Sequence, residues 1–418
     1  MPGDQPADNR RVVLDPQIVI WTDALWNQPA STTFKPTQGE FMVGWTTDQV
    51  AFSRDIWARR VAPNGTLSDW FNVASVPSET MEGPSIAFSP PDDEYLFAYT
   101  NWYQGTGGFA DVQSRRVAWD GSVMSGVLTV SPRSAQHIHP SIAYNSGDDE
   151  YLETYSNQWH SGLLDLYAQR VRAADSVLLS WSAVASDAVL SRLYSTVAYH
   201  PDAYGGNGGY LIAYLTSPST GGSSVSYKMT QSDLSDLFTN PEIEVSNGAG
   251  VQYDPGLDVG ANGFLISWWE NTPAGPQVRA RRISADGNPL GPPEAFAVSG
   301  LYADLPTDPK LSVAYTHQQS FLVLWNHKIA LPPVDDIHGV LVSENLDSTI
   351  GVEFELNGGV ETIFGPAASC SPGSECLIAY SWWNTSNHDV AGRIIHLLSI
   401  FSDGFESGDH SAWSVVLP

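Results

Sequence analysis

Three histidines and one carboxylate stand near one another in the chain: His137, His139, Glu153 and His160. His137 and His139 are two residues apart, so both point to one side if that stretch is a strand. With His160 they could hold a metal ion through imidazole nitrogens, or with Glu153 they could move a proton as an acid/base group. Arg192 and Tyr194 add a cation and a phenol, which makes His139, His160, Tyr194, Arg192 and Glu153 the catalytic candidates and His137, His139 and His160 the metal candidates. A plainer reading stands beside this one. In it Glu153 is a buried carboxylate paired with Arg116 or Arg170, and the histidines are solvated.

The elements that must carry these residues are set by a repeat. Tyr95-Leu96-Phe97-Ala98-Tyr99 returns in near-copy beginning at Phe41, Tyr151, Tyr210, Phe264, Phe321 and Cys376, with steps of 54, 56, 59, 54, 57 and 55 residues. A period in this range marks a repeat array, because one such unit cannot bury its own apolar faces. Each copy sits in the same grammar. A short strand such as Pro84 to Phe88 or Pro140 to Tyr144 comes first, then a polar turn, then the aromatic strand. A third strand follows, as in Asp55 to Val61, Asp111 to Val117 and Asp165 to Val171. Asn64-Gly65, Asp120-Gly121 and Asp286-Gly287 are hairpin turns leading to a fourth strand such as Phe71 to Ala74. Glu153 breaks the grammar: it stands where the other aromatic strands carry Val43, Phe97, Ile212, Ile266, Val323 and Ile378.

Four antiparallel strands per repeat make a propeller blade, so the predicted fold is an all-β, seven-bladed β-propeller. The blades lie near 29–75, 84–131, 140–186, 194–246, 253–299, 309–357 and 363–397. The seventh lacks a fourth strand, and Gln17 to Trp21 is an unassigned strand before the first. The N-terminal strand therefore completes the last blade, which resembles the closure seen across the β-propeller family and removes an open edge. Ala412 to Leu417 is the rival fourth strand. A single propeller domain over 1–399 and a tail over 400–418 follow. The tail, Ile400 to Ser414, resembles a short C-terminal segment of many secreted Gram-negative proteins, and the repeat looks like those of secreted bacterial propellers. That resemblance implies a secreted or periplasmic protein; the N-terminus lacks the basic and apolar regions of a signal peptide.

Composition narrows the partners. The formal charge is −27, with 19 Lys and Arg against 46 Asp and Glu, which disfavours nucleic acid and anionic membranes. No run of 18 apolar residues exists to span a membrane. Cys370 and Cys376 flank the turn between the first two strands of the seventh repeat, where cross-strand cysteines can meet disulfide geometry. Such a bond belongs to an oxidising compartment. A monomer is expected. No organic cofactor is expected, and Ca2+ or another divalent cation is the only added group the acids suggest. The Asp that opens the third strand in five repeats (Asp55, Asp111, Asp165, Asp336, Asp389) is read as a backbone N–H acceptor. The sialidase Asp-box pattern is absent from the turns.

In propellers generally, the loops between strands two and three and those between blades share one face. That rule collects Arg133, His137, His139, Arg192, Tyr194, Tyr253, Asp254, Tyr302 and Asp304 from the inter-blade loops. From the loops within blades it collects Trp102, Tyr103, Trp159, His160, Trp269, Glu270, His327, Trp383 and His388. Aromatic rings beside acids and amides suit sugars, so Trp102, Tyr103, Trp159, Tyr253, Trp269, Tyr302, Trp383 and His388 are the ligand-binding candidates. The same rings could instead cap the core. Two classes of function follow: a secreted propeller that binds a glycan or protein partner, and a carbohydrate-active enzyme, either a polysaccharide lyase or a glycoside hydrolase, in the same face.

Overall fold

The computed structural model describes residues 11–22, 27–48, 53–103, 108–131, 136–160, 163–186, 189–218, 222–245, 250–292, 295–306, 308–330, 334–358, 362–383 and 388–398. The rival strand Ala412 to Leu417, the C-terminal tail and Arg133 lie outside them. Among the described residues the chain is all-β apart from one helical turn, Ala203–Gly206. No helix there is long and apolar enough to cross a membrane.

Each repeat folds as an antiparallel meander. The first strands are Asn27–Lys35, Glu79–Ser89, Gln136–Asn145, Leu190–His200, Val251–Val259, Leu311–Tyr315 and Thr362–Cys370. The aromatic motif lies on the second strand of each unit, for example Glu94–Tyr103 and Glu150–His160, and this strand is covered on both faces. That is why it reads as an unbroken apolar run instead of alternating. Third strands such as Ala110–Ala118 and Leu163–Arg172 pair with it in turn. The apolar clusters form between neighbouring units: Met42 and Ile56 of unit one pack with Met81 and Phe97 of unit two. First strand contacts first strand all the way along, and that of unit seven returns to that of unit one.

Two side-chain devices tie one unit to the next. Hydroxyls on the first strands accept backbone N–H bonds from the following unit: Ser31 from Ile86 (3.2 Å), Ser85 from Ile142 (3.2 Å), Ser141 from Val197 (3.3 Å) and Ser312 from Ala368 (3.1 Å). Where unit five has Gly256 at this position, the carboxylates of Asp254 and Asp258 accept from Leu311 and Tyr315 instead. The second device is an arginine on the third strand that donates to a carbonyl on the fourth strand of the unit before it. Arg115 reaches Val73 and Arg281 reaches Val245, each at 2.7 Å.

Arg59 of unit one makes the same bond, at 2.7 Å, to Ile20. Ile20 thus stands where Val73 and Val245 stand in their units. Ile18–Trp21 pairs antiparallel with His388–Leu398, the third strand of unit seven, and Arg11–Leu14 pairs with the same strand further along. The N-terminal segment is the outer strand of the last unit, as its sequence suggested. Trp21 seals the junction by packing on Trp45, Trp57 and Trp70, with ring centroids 5.1–5.9 Å away. Cys370 and Cys376 are directly opposed across the first hairpin of unit seven and form a disulfide.

This junction yields a prediction. Trp21→Ala should lower the unfolding free energy by about 3 kcal/mol, the usual scale for truncating a packed Trp. Trp181, 63% exposed, should lose less than about 1 kcal/mol on the same change. Chemical denaturation of both variants checks it; equal losses would mean that the N-terminal strand is not holding the junction.

Candidate functional site

The first strand of a unit does not run straight. In six units its pairing with the second strand slips by a bulge, between residues 29/31, 82/85, 138/141, 193/196, 253/256 and 364/367. Two residues before the Ser31, Ser85 and Ser141 position, the backbone is left-handed in five units: Gly83 (φ 61°), His139 (55°), Tyr194 (50°), Asp254 (42°) and Gly365 (65°). Glycine takes this conformation without penalty. A residue with a Cβ gives up on the order of 1–3 kcal/mol to hold it. A Cβ built on Gly83 meets nothing within 4 Å, so what favours glycine there is the backbone angle and not lack of room. Units three, four and five thus place a polar side chain where the backbone resists one.

The three side chains share a pocket of about 530 Å3, and Lys310, at the same offset in unit six, completes it. The His139 and Tyr194 rings pack at 4.6 Å between centroids. Lys310 Nζ lies 5.2 Å from the centre of the Tyr194 ring and 3.7 Å from Asp254 Oδ1. Asp254 Oδ2 accepts from Leu311 N at 2.8 Å, and Asp308 lies 3.4 Å from Lys310 Nζ. Burial, reinforced by the Lys310 charge, pushes the His139 pKa down to about 4, so this imidazole is neutral near pH 7. The Asp254 carboxylate draws the Lys310 pKa up, against burial; burial draws that of Asp254 up, against Lys310 and the Leu311 N–H. Neutral imidazole, phenol, ammonium and carboxyl can together donate to and accept from hydroxyl groups, and Tyr194, 39% exposed, offers a ring. A second cavity, of about 450 Å3, shares Ser85, Ser141 and Thr196 with the pocket and extends it along the first strands past Asp258.

Of the predicted catalytic residues, then, the structure brings His139 and Tyr194 together and places Arg192 and Glu153 elsewhere. Arg192 is buried and donates to Glu242 Oε2 at 3.0 Å, because the left-handed turn at Tyr194 breaks the alternation that would have put both on one side. His137 and His139 do not pair, for the same reason. His137 is buried against Tyr155, 3.9 Å from Asp111, while His139 faces Tyr194. The side chains of Trp159 and His160 lie outside the described part. Among the described residues no three His, Cys, Asp or Glu side chains converge as metal ligands.

Glu153 is fully buried between units two and three, and its arginine partner is a correction. Arg116 pairs with Glu94 at 2.6 Å and Arg170 with Glu150 at 2.8 Å, each glutamate opening the second strand of the same unit. The residue opposite Glu153 is Gln169, where units one and two have Arg59 and Arg115. Glu153 Oε1 accepts from Ser114 at 2.7 Å, and Oε2 is buried with no partner among the described residues.

The ligand-binding candidates divide. Trp269 is completely buried and Tyr103 nearly so, its hydroxyl bonded to Asp111 and Gln113; neither offers a face to a sugar. Trp102 is half-buried and donates to Glu82, a pocket residue, at 2.7 Å. Trp383, 49% exposed, packs on His388, which in turn touches the pocket residue Phe364. Tyr253, half-buried, lies opposite Trp269, and Tyr302 is bonded into a separate group on units five and six. Lys310 was not anticipated. Aligning the repeats on their first-strand serine would have found it two residues before Ser312, at the offset of His139 before Ser141.

No protein-family model matches this chain, and no curated protein does. Similar solved structures exist. A protein of unknown function from Dyadobacter fermentans is 12% identical with a TM-score of 0.58, over 93% of this chain and 99% of its own. An ulvan lyase, from a new family of polysaccharide lyases and bound to a GlcA(1-4)Rha3S saccharide, is 9% identical with a TM-score of 0.57, over 90% and 97%. The β-propeller domain of the trilobed protease from Pyrococcus furiosus is 6% identical, with a TM-score of 0.48. At these identities the likeness is one of fold.

The buried carboxyl gives a test of its own. Burial raises the Glu153 pKa from its ordinary 4.5 to about 7, opposed by the Ser114 hydrogen bond. Well below pH 4.5 both folded and unfolded states are protonated there and Glu153 adds no pH dependence to stability. Between 4.5 and 7 the unfolded chain ionises first, so stability falls as pH rises, by up to about 3 kcal/mol. Glu153→Gln should therefore raise the unfolding midpoint at pH 8 and lose that advantage at pH 4.5. An advantage that does not change with pH would refute the raised pKa.

Proposed function

We propose that the chain is a secreted or periplasmic seven-bladed β-propeller that recognises carbohydrate in the pocket of His139, Tyr194, Asp254 and Lys310. The carrying observation is the left-handed backbone at three successive units, held by residues with hydrogen-bonding side chains where two other units use glycine. Sites that keep local strain are commonly functional. The unbroken circuit of first-strand contacts and the N-terminal outer strand support seven blades in a ring. The Cys370–Cys376 disulfide supports an oxidising compartment. The pocket chemistry fits a sugar, with ring stacking on Tyr194 and paired donors and acceptors for hydroxyls, and the ulvan lyase likeness points the same way.

A second reading, a polysaccharide lyase, is favoured by neutral His139 beside Tyr194 and Lys310. In such a β-elimination a base takes the C5 proton of a uronate, the C4–O4 bond breaks, a C4–C5 double bond forms and the leaving oxygen gains a proton. A cation next to the uronate carboxylate stabilises the developing charge.

Titration calorimetry against a panel of neutral and uronate-containing oligosaccharides tests both readings. Binding should appear with the wild type and fall at least about 10-fold in Tyr194→Ala, a loss of at least about 1.4 kcal/mol. A rise in ultraviolet absorbance from unsaturated uronate would select the lyase. Binding that survives Tyr194→Ala and His139→Ala unchanged would place the carbohydrate elsewhere and sink this assignment.

A further inference from the structure

A second group of polar side chains lies on units five and six, outside the pocket. His327 is on the second strand of unit six, His338 on the third and Glu353 on the fourth, while Tyr302 comes from the connection between the two units. His327 is opposed to Asp336 and His338 to Trp325, so strand alternation puts both histidines on one face. His327 Nδ1 is 3.1 Å from His338 Nε2, and His338 Nδ1 is 2.6 Å from Glu353 Oε1. The Tyr302 hydroxyl donates to the same carboxylate oxygen at 2.7 Å and accepts from the Trp325 indole at 3.1 Å.

These bonds fix where the protons sit. Glu353 can only accept when ionised, so His338 carries its proton on Nδ1 and presents a lone pair at Nε2. His327 Nδ1 then donates that proton across the 3.1 Å gap. The rings stand at 84° with centroids 4.6 Å apart, so their nitrogens converge at an angle instead of meeting end to end. Two nitrogens each about 2.1 Å from one tetrahedral ion lie about 3.4 Å apart, near the separation seen here. The shared proton occupies the place such an ion would take. His327 can yield that place by moving its proton to Nε2, which has no partner among the described residues. A carboxylate behind a ligating imidazole holds its tautomer and raises its basicity, and Glu353 stands in that relation to His338.

We propose that His327 Nδ1 and His338 Nε2 chelate one divalent transition-metal ion of the Zn2+, Cu2+ or Ni2+ class, with water completing its coordination and Glu353 as the outer-shell carboxylate. Imidazole pairs select these ions over Ca2+ and Mg2+. The ion would join the second and third strands of unit six.

The test is Zn2+ titration of the full chain after chelator treatment, followed by calorimetry and by thermal unfolding. One ion should bind per chain, and the wild-type midpoint should rise with added Zn2+ because the ion binds the folded state. His327→Gln and His338→Gln should each remove both effects, and Glu353→Gln should keep the stoichiometry while weakening affinity about 10–100-fold. No saturable Zn2+ uptake by the wild type, or uptake and midpoint shift unchanged in His327→Gln and His338→Gln, would overturn the site. Because the midpoint shift is read on the wild type, the test holds even if one variant fails to fold.

Discussion

Every first strand has to pass its neighbours closely, and six of the seven units meet this with a bulge at the same place. In six units the strand leaves register by one bulge, in five it turns left-handed for one residue, and in units two and three a hydroxyl two residues later accepts a backbone N–H from the next unit. In units one, two and three the hydroxyl and the bulge act together. The bulge re-aims the strand, and the side chain that follows satisfies a backbone N–H that would otherwise be buried without a partner. Glycine is the least strained occupant of the left-handed position. His139, Tyr194 and Asp254 occupy it in adjacent units, and together they define the pocket.

The arginines do the corresponding work at the outer edge. By donating to the fourth strand of the preceding unit, Arg59, Arg115 and Arg281 fix how successive sheets lean on one another, and the Arg59 bond to Ile20 recruits the N-terminal strand into that scheme. Unit three forgoes this bond. Gln169 stands in for the arginine and spends its amide on local carbonyls, while Glu153 replaces an apolar residue opposite it. The exchange leaves a protonatable group in an inter-unit core and brings no polar group into the pocket.

The repeat, the four-strand grammar, the N-terminal outer strand and the disulfide were all legible in the sequence, because they follow from spacing and alternation alone. His139 and Tyr194 were legible too, through the rule that inter-unit loops gather on one face. The His137–His139 pair was misplaced because alternation was carried through a bulge that sequence does not mark when its left-handed residue is not glycine, and Arg192, assigned to an inter-unit loop, lies inside the strand Leu190–His200 and turns to Glu242. Lys310 was missed because Pro309 stands one residue before it, whereas Pro140 and Pro255 stand one residue after His139 and Asp254. Trp269 reads as a loop residue but lies inside the strand Gly263–Thr272, where unit five runs two tryptophans together and buries both.

The central claim is that side chains at the bulges are held against their backbone preference to build the pocket. Urea unfolding of four variants, His139→Ala, His139→Gly, Tyr194→Ala and Tyr194→Gly, tests it directly, since each Ala/Gly pair lacks the same ring contacts and differs chiefly in tolerance of positive φ. At both positions the glycine variant should be more stable than the alanine variant by about 1 kcal/mol. Alanine more stable than glycine by roughly 0.5–1 kcal/mol, as in an ordinary strand, would contradict it.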